Sequence, residues 1–235
     1  MISRRQMIAS SSALAAIGVS SAARAQGTTC AVFDKSSQAA TSPDQALARL
    51  KEGNERFSNG KTVNCDLMSQ VKATSGQQSP VACVVGCIDS RVPPELVFDQ
   101  RLGDIFAARV AGNFVNTDII GSLEFATKLA GAKVIVVLGH TECGAIKGAV
   151  DDAKLGNLTA TLANIRPSLT KLNYSAMPSS KNKELVQRVA DQNARDAAAN
   201  LTAKSEVLSE LVKEGKLKIV SGMYDISTGR VSWFG

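Results

Sequence analysis

His140 is the only histidine among 235 residues, and it stands in Gly139-His140-Thr141-Glu142-Cys143-Gly144-Ala145, with a thiol three positions on. Imidazole and thiolate are ligands that Zn²⁺ prefers, and His-x-x-Cys is short enough to bring both to one ion. A further thiol opens the segment Cys87-Ile88-Asp89-Ser90-Arg91. Two cysteines and one histidine fill three of zinc's four positions and leave one for water, the make-up of a catalytic site rather than a structural one. Asp89 either accepts a hydrogen bond from bound hydroxide or takes the fourth position and shuts the site. Arg91 is placed to hold Asp89 off the metal by a charge-assisted pair. Singly, Cys87 reads as a buried thiol and His140 as a loop histidine; their joint placement points to metal. A dithiol redox centre is disfavoured because no Cys-x-x-Cys occurs.

Both ligand-bearing loops follow apolar runs, Val81-Ala82-Cys83-Val84-Val85 and Val134-Ile135-Val136-Val137-Leu138. These predict buried strands over 81–87 and 133–138, with a third over 104–110. Helices are expected over 94–100 and 118–130 and, with breaks, through most of 143–214. Ser42, Pro43 and Gln45 open another helix as N-cap, first residue and capping box, and Asn59-Gly60 closes it. Residues 61–79 are polar and low in periodicity, and strands at 216–224 and 230–234 read as a hairpin. The fold class is therefore α/β: a central, mainly parallel sheet flanked by helices, with an N-terminal helical arm and a C-terminal edge strand or hairpin. In such sheets sites form at the carboxyl ends of strands, and Cys87 is the last residue of one predicted strand while His140 falls two residues past the end of another.

Ser3-Arg4-Arg5-Gln6-Met7, a weakly apolar Ala/Ser stretch and Ala23-Arg24-Ala25 read as a twin-arginine-type signal peptide over residues 1–25, with ordinary Sec export as the closest alternative. Residues 26–41 follow as a linker and 42–235 as one domain. A periplasmic or secreted location is expected, with no stable membrane span in the mature chain. Removing the signal leaves 24 basic against 21 acidic side chains and lowers the net charge from +6 to +3, so the basic balance is poor support for nucleic-acid binding. Of five cysteines, Cys83 reads as a small buried hydrophobe, and Cys30 and Cys65 could pair in an oxidising compartment.

From residue 42 onward the chain resembles a β-class carbonic anhydrase of the plant-like subtype. Cys87-Ile88-Asp89-Ser90-Arg91 is similar to the family's Cys-x-Asp-Ser-Arg signature and Gly139–Gly144 to its Gly-His-x-x-Cys-Gly signature. Further similar segments are Arg109-Val110-Ala111-Gly112-Asn113, Ser122-Leu123-Glu124-Phe125-Ala126 and Tyr224-Asp225-Ile226-Ser227-Thr228-Gly229. The resemblance implies reversible hydration of CO₂ to bicarbonate and a proton by zinc-bound hydroxide, with one zinc per subunit on Cys87, His140 and Cys143. It implies Asp89 and Arg91 as a gating dyad and Gly144 as a backbone donor to bicarbonate. It also implies a homodimer or higher oligomer in which Gln78 binds substrate across a subunit boundary, with Phe106 in the pocket. COS or CS₂ hydrolysis on the same scaffold, or a noncatalytic zinc-binding module, are the alternatives. Ile88 makes the first loop more apolar than the usual serine, and Phe125 lacks the hydroxyl of a common tyrosine. Val84 stands where the bicarbonate-closed subtype has tryptophan, so no bicarbonate-locked state is expected. With His140 committed to the metal, no imidazole remains to shuttle protons.

Overall fold

The strands predicted from the two apolar runs are the centre of the sheet. The structure, a computed structural model, describes residues 30–234; the expected signal peptide and the first residues of the expected linker lie outside them. Five strands, β1 (Ala82–Gly86), β2 (Ile105–Arg109), β3 (Val134–His140), β4 (Lys218–Tyr224) and β5 (Val231–Phe234), lie in the order β2-β1-β3-β4-β5. The first four are parallel, and β5 turns back antiparallel on β4 as the expected hairpin. Every residue of β1 and β3 is buried, as a parallel sheet covered on both faces requires.

Side-chain alternation sorts the two faces. Cys83, Val85, Ile135 and Val137 face one cluster with Leu123, Ala194, Ala197, Leu201 and Leu208. Val84, Val134, Val136 and Leu138 face the other with Ala46, Leu47, Leu50 and Phe98. A third cluster at the carboxyl end joins Cys87 and Cys143 to Ile146, Ile165, Leu185, Val189 and Met223. Each fully buried aliphatic side chain contributes roughly 1.5–3 kcal/mol, so these three clusters hold the strand ends in place.

Residues 26–41 are not a linker throughout: Lys35–Ala40 forms helix α1, capped by Asp34, whose side chain accepts from Ser37 N. Buried Gln38 in α1 donates from Nε2 to Pro80 O and Ala130 O, which ties the segment to the domain. Helix α2 (Pro43–Ser58) starts as read, with the Ser42 hydroxyl accepting from Gln45 N and Gln45 Oε1 accepting from Ser42 N. Its buried row runs Ala46, Leu47, Leu50, Gly53, Asn54. Gly53 lets α2 lie close to α4, since a Cβ there would sit 1.8 Å from Phe98 O. Helix α3 (Leu67–Thr74) lies in the stretch read as polar and low in periodicity; Asp66 caps it.

Helix α4 (Pro94–Val97) is shorter than expected, and α5 (Thr117–Glu124) passes into a π-helical turn over Phe125–Leu129. Helices α6 (Gly144–Val150), α7 (Gly156–Ala163) and α8 (Arg166–Lys171) follow. A break separates Ala163 from Arg166, and Pro167 sits in the first turn of α8, where its missing N–H is harmless. The 22-residue α9 (Lys183–Lys204), capped by Asn182, packs on β3 and β4, and α10 (Glu206–Lys213) leads into β4. No helix among the described residues is long and apolar enough to cross a membrane.

Candidate metal centre

Strand pairing brings the ligands together. Gly86 is opposite Leu138 across the β1–β3 pair, so the residue that leaves β1, Cys87, emerges beside the end of β3. His140 is the last residue of β3 and not, as read from the sequence, beyond it; β4 pairs alongside that far, His140 to Tyr224. A tight turn then reverses the chain, with Glu142 at φ 58°, and delivers Cys143 just before α6.

The imidazole and the two sulfurs lie within 4.8 Å of one another, and all three residues are buried. Cys87 Sγ and Cys143 Sγ are 4.0 Å apart, close to the ~3.8 Å edge of a tetrahedron with Zn–S bonds of about 2.3 Å. His140 Nδ1 lies 2.9 Å from Thr141 O and donates to it. Its Nε2 is buried and without a hydrogen-bond partner. That tautomer leaves the Nε2 lone pair facing the thiols, the arrangement metal-bound imidazoles adopt. The donor set therefore fits zinc.

The surrounding groups favour negative charge on the Cys87 sulfur and oppose it on that of Cys143. Contact with Cys143, then His140 and Gly112 N–H, holds Cys87 well below the usual thiol range against its burial. The same contact with Cys87, together with burial, pushes Cys143 up, while N–H groups at the start of α6 act the other way. Two thiols crowded together share one negative charge until a cation lets both ionise. Arg109 clamps the first loop, donating from Nε to Cys87 O at 2.8 Å and from Nη2 to Asp89 O at 2.6 Å.

Asp89 faces this cluster with Oδ2 3.8 Å from His140 Nε2. Arg91 holds it from the other side, Nε to Oδ1 at 2.9 Å and Nη2 to Oδ2 at 2.7 Å, with backbone N also on Oδ1. The Arg91 guanidinium keeps the Asp89 carboxyl well below the usual carboxylate range.

Gly144 opens α6 beside Cys143, exposed, with nothing near its missing Cβ. Two other expected residues are not brought to this cluster. Gln78 is exposed and precedes the amino end of β1, whereas Cys87 follows the carboxyl end of that strand, whose length is about 13 Å at ~3.3 Å per residue. Phe106 sits three rungs below the β2 mouth, paired with Cys83, its ring 6.3 Å from Phe125. Buried Val84 leaves no aromatic at its position, and Ile88 is exposed at the mouth. Cys83 is fully buried and pushed up to about 12 by that burial. Cys30 and Cys65 are both in disulfides. Sequence reading missed the parts played by Thr141, Gly112 and Asn193. For Asn193 a signal existed, a polar residue on the apolar stripe of α9.

A family model described as carbonic anhydrase matches residues 82–231. The chain is 35% identical over 196 residues to "Carbonic anhydrase 2" of Mycobacterium tuberculosis, covering 81% of this chain and 92% of that protein. It is 32% identical over 197 residues to a carbonic anhydrase of Mycolicibacterium smegmatis, covering 81% and 93%. Among solved structures it is similar to the β-carbonic anhydrase CcaA, with TM-score 0.65 and 26% identity over 80% of this chain and 87% of that one. It is also similar to tetrameric β-carbonic anhydrases of Sordaria macrospora, with TM-score 0.61 and 26% identity over 72% and 90%.

Proposed function

The chain belongs to the β-class carbonic anhydrases and interconverts CO₂ and bicarbonate, and we propose that it does so with one zinc ion held by Cys87, His140 and Cys143. When bound, zinc supplies a nucleophile at neutral pH by acidifying water. Asp89 Oδ2 would then be the acceptor that aims the activated water, and Arg91, which holds the carboxylate, would keep it off the metal. The Gly144 N–H, exposed at the start of α6, donates to a bicarbonate oxygen. Ile88 at the mouth favours apolar CO₂ over water.

The single observation that carries this reading is the buried, unpartnered His140 Nε2 directed at two thiols. It is tested by stopped-flow CO₂ hydration on metal-quantified protein. We expect one zinc per chain, activity lost to chelation and regained with zinc. Stoichiometric zinc without hydration from about pH 7 to 9 would leave only a zinc-binding module.

Gln78 and Phe106 serve the pocket of a neighbouring subunit in a homodimer or higher oligomer. The supporting observations are Gln78 lying at the wrong end of β1 for its own Cys87, and an apolar groove of about 420 Å³ along β2 and α5, lined by Phe106, Leu123 and Phe125. Sedimentation checks the oligomer, and Gln78→Ala is expected to raise KM. Export through a twin-arginine-type signal places the mature enzyme in the periplasm. Arg4→Lys with Arg5→Lys is expected to retain it in the cytoplasm, as cell fractionation would read.

A further inference from the structure

A buried amide on α9 reaches the loop beside the first metal ligand. Asn193 is 2% exposed and lies in the stripe Val189, Ala190, Ala194, Ala197, where every neighbour is apolar. A polar side chain in that setting is costly unless its hydrogen bonds are made. Its Nδ2 donates to Gly112 O at 2.8 Å, across 81 residues of chain. Gly112 N in turn donates to Cys87 Sγ at 3.4 Å.

The two bonds belong to neighbouring peptide units that meet at the Gly112 Cα, so their coupling is mechanical. Gly112 and Asn113 both have positive φ, 84° and 43°, a backbone shape that glycine adopts freely and asparagine at modest cost. Packing holds one side, because a Cβ on Gly112 would sit 2.4 Å from Ile165 Cδ1. Val110 N donates to Gly86 O and anchors the entry to the loop. On the exit side the anchor is Asn193.

We infer that Asn193 is a positioning residue for the metal centre: by holding Gly112 O it keeps the Gly112 N–H on the Cys87 sulfur. This rests on the assignment of Cys87 as a ligand. An N–H on a thiolate draws electron density off the sulfur and fixes its direction, as partners around metal ligands generally do. Asn193 touches neither substrate nor metal.

The test compares wild type, Asn193→Ala and Leu201→Ala, the last removing an equally buried side chain on the same helix. Each is loaded with cobalt(II) for absorption and titrated with zinc against a competing chelator. Asn193→Ala is expected to move the thiolate-to-cobalt charge-transfer band to longer wavelength and to weaken zinc binding by about 10–100-fold. Leu201→Ala is expected to lower Tm and leave both readouts at wild-type values. Should Asn193→Ala not fold, Asn193→Ser keeps a small polar group there and is read the same way. Wild-type band and affinity in the Asn193 variant overturn the inference, as do equal shifts in Leu201→Ala. A wild-type protein that binds neither metal overturns the zinc assignment itself, a distinguishable failure.

Discussion

Replacing Asp89 by Asn keeps the side chain's shape and removes its charge. The carboxylate takes three hydrogen bonds from Arg91, at 2.9, 2.9 and 2.7 Å. An amide offers one acceptor and one donor where the carboxylate has two acceptors. With the amide nitrogen at the Oδ2 position, Arg91 Nη2 faces a donor and the oxygen 3.8 Å from His140 Nε2 is lost to the site; at the Oδ1 position, Arg91 N and Nε face the donor instead. Loss of a positioned acid–base group costs roughly 10²–10⁴-fold in rate. The low end applies because the Arg91 side chain is 52% exposed and water can replace part of the network. The expected loss in kcat/KM is thus about 10²-fold, or ~2.7 kcal/mol of transition-state stabilisation. Zinc content should stay at one per chain, since no ligand is touched.

Arg91→Ala should slow turnover by freeing the carboxylate to swing toward the metal. Because Arg91 is assigned to act through Asp89, adding it to Asp89→Asn should cost less than about threefold more. Stopped-flow hydration on metal-quantified variants reads all four corners. Unchanged activity in Asp89→Asn, or losses that multiply in the double variant, would refute the reasoning. The pH direction is fixed as well. A carboxyl depressed below its ordinary 3.8 keeps its ion pair above that value and loses it only as pH falls well beneath. Activity changes between about pH 5 and 9 therefore cannot come from protonation of Asp89.

With one histidine, committed to the metal, turnover near pH 7 should rise with imidazole or phosphate concentration; a flat response contradicts that. Cys83, buried and with its thiol pushed up to about 12, should resist iodoacetamide at pH 8 until the protein unfolds, and mapping of the alkylated sites would show otherwise. Gly53→Ala meets a main-chain carbonyl at 1.8 Å that cannot rotate away. Its overpacking cost should reach about 3 kcal/mol, lowering Tm by roughly 6–12 °C, and an unchanged Tm would contradict the α2–α4 contact.

The residues of the proposed metal site were legible because Cys87 and His140 stand where apolar runs stop and Cys143 follows His140 by three, and the parallel sheet turns sequence-distant run ends into neighbours. Short elements were not. Leu67, Met68 and Val71 of α3 are exposed, and three apolar residues in one short helix make a weak pattern, so the Asp66 cap is its clearest mark. The π turn after Glu124 leaves composition unchanged. The buried amides of Gln38, Asn54 and Asn193 bond main-chain groups dozens of residues or more away, and no local pattern encodes such partners. The far placement of Gln78 and Phe106 depends on which end of a strand each occupies, and counting residues from Cys87 does not supply that.

Thr141, whose carbonyl orients the His140 ring, is itself fastened late in the chain. Its N–H donates to Tyr224 O, and its hydroxyl accepts from Ile226 N. Asn54 then closes over the same hairpin, bonding Gly229 O and Val231 N. A nascent polypeptide that has emerged only as far as α10 thus carries all three ligands but lacks the Tyr224 and Ile226 partners that fasten Thr141. Metal capture in its final geometry must wait until translation is nearly complete.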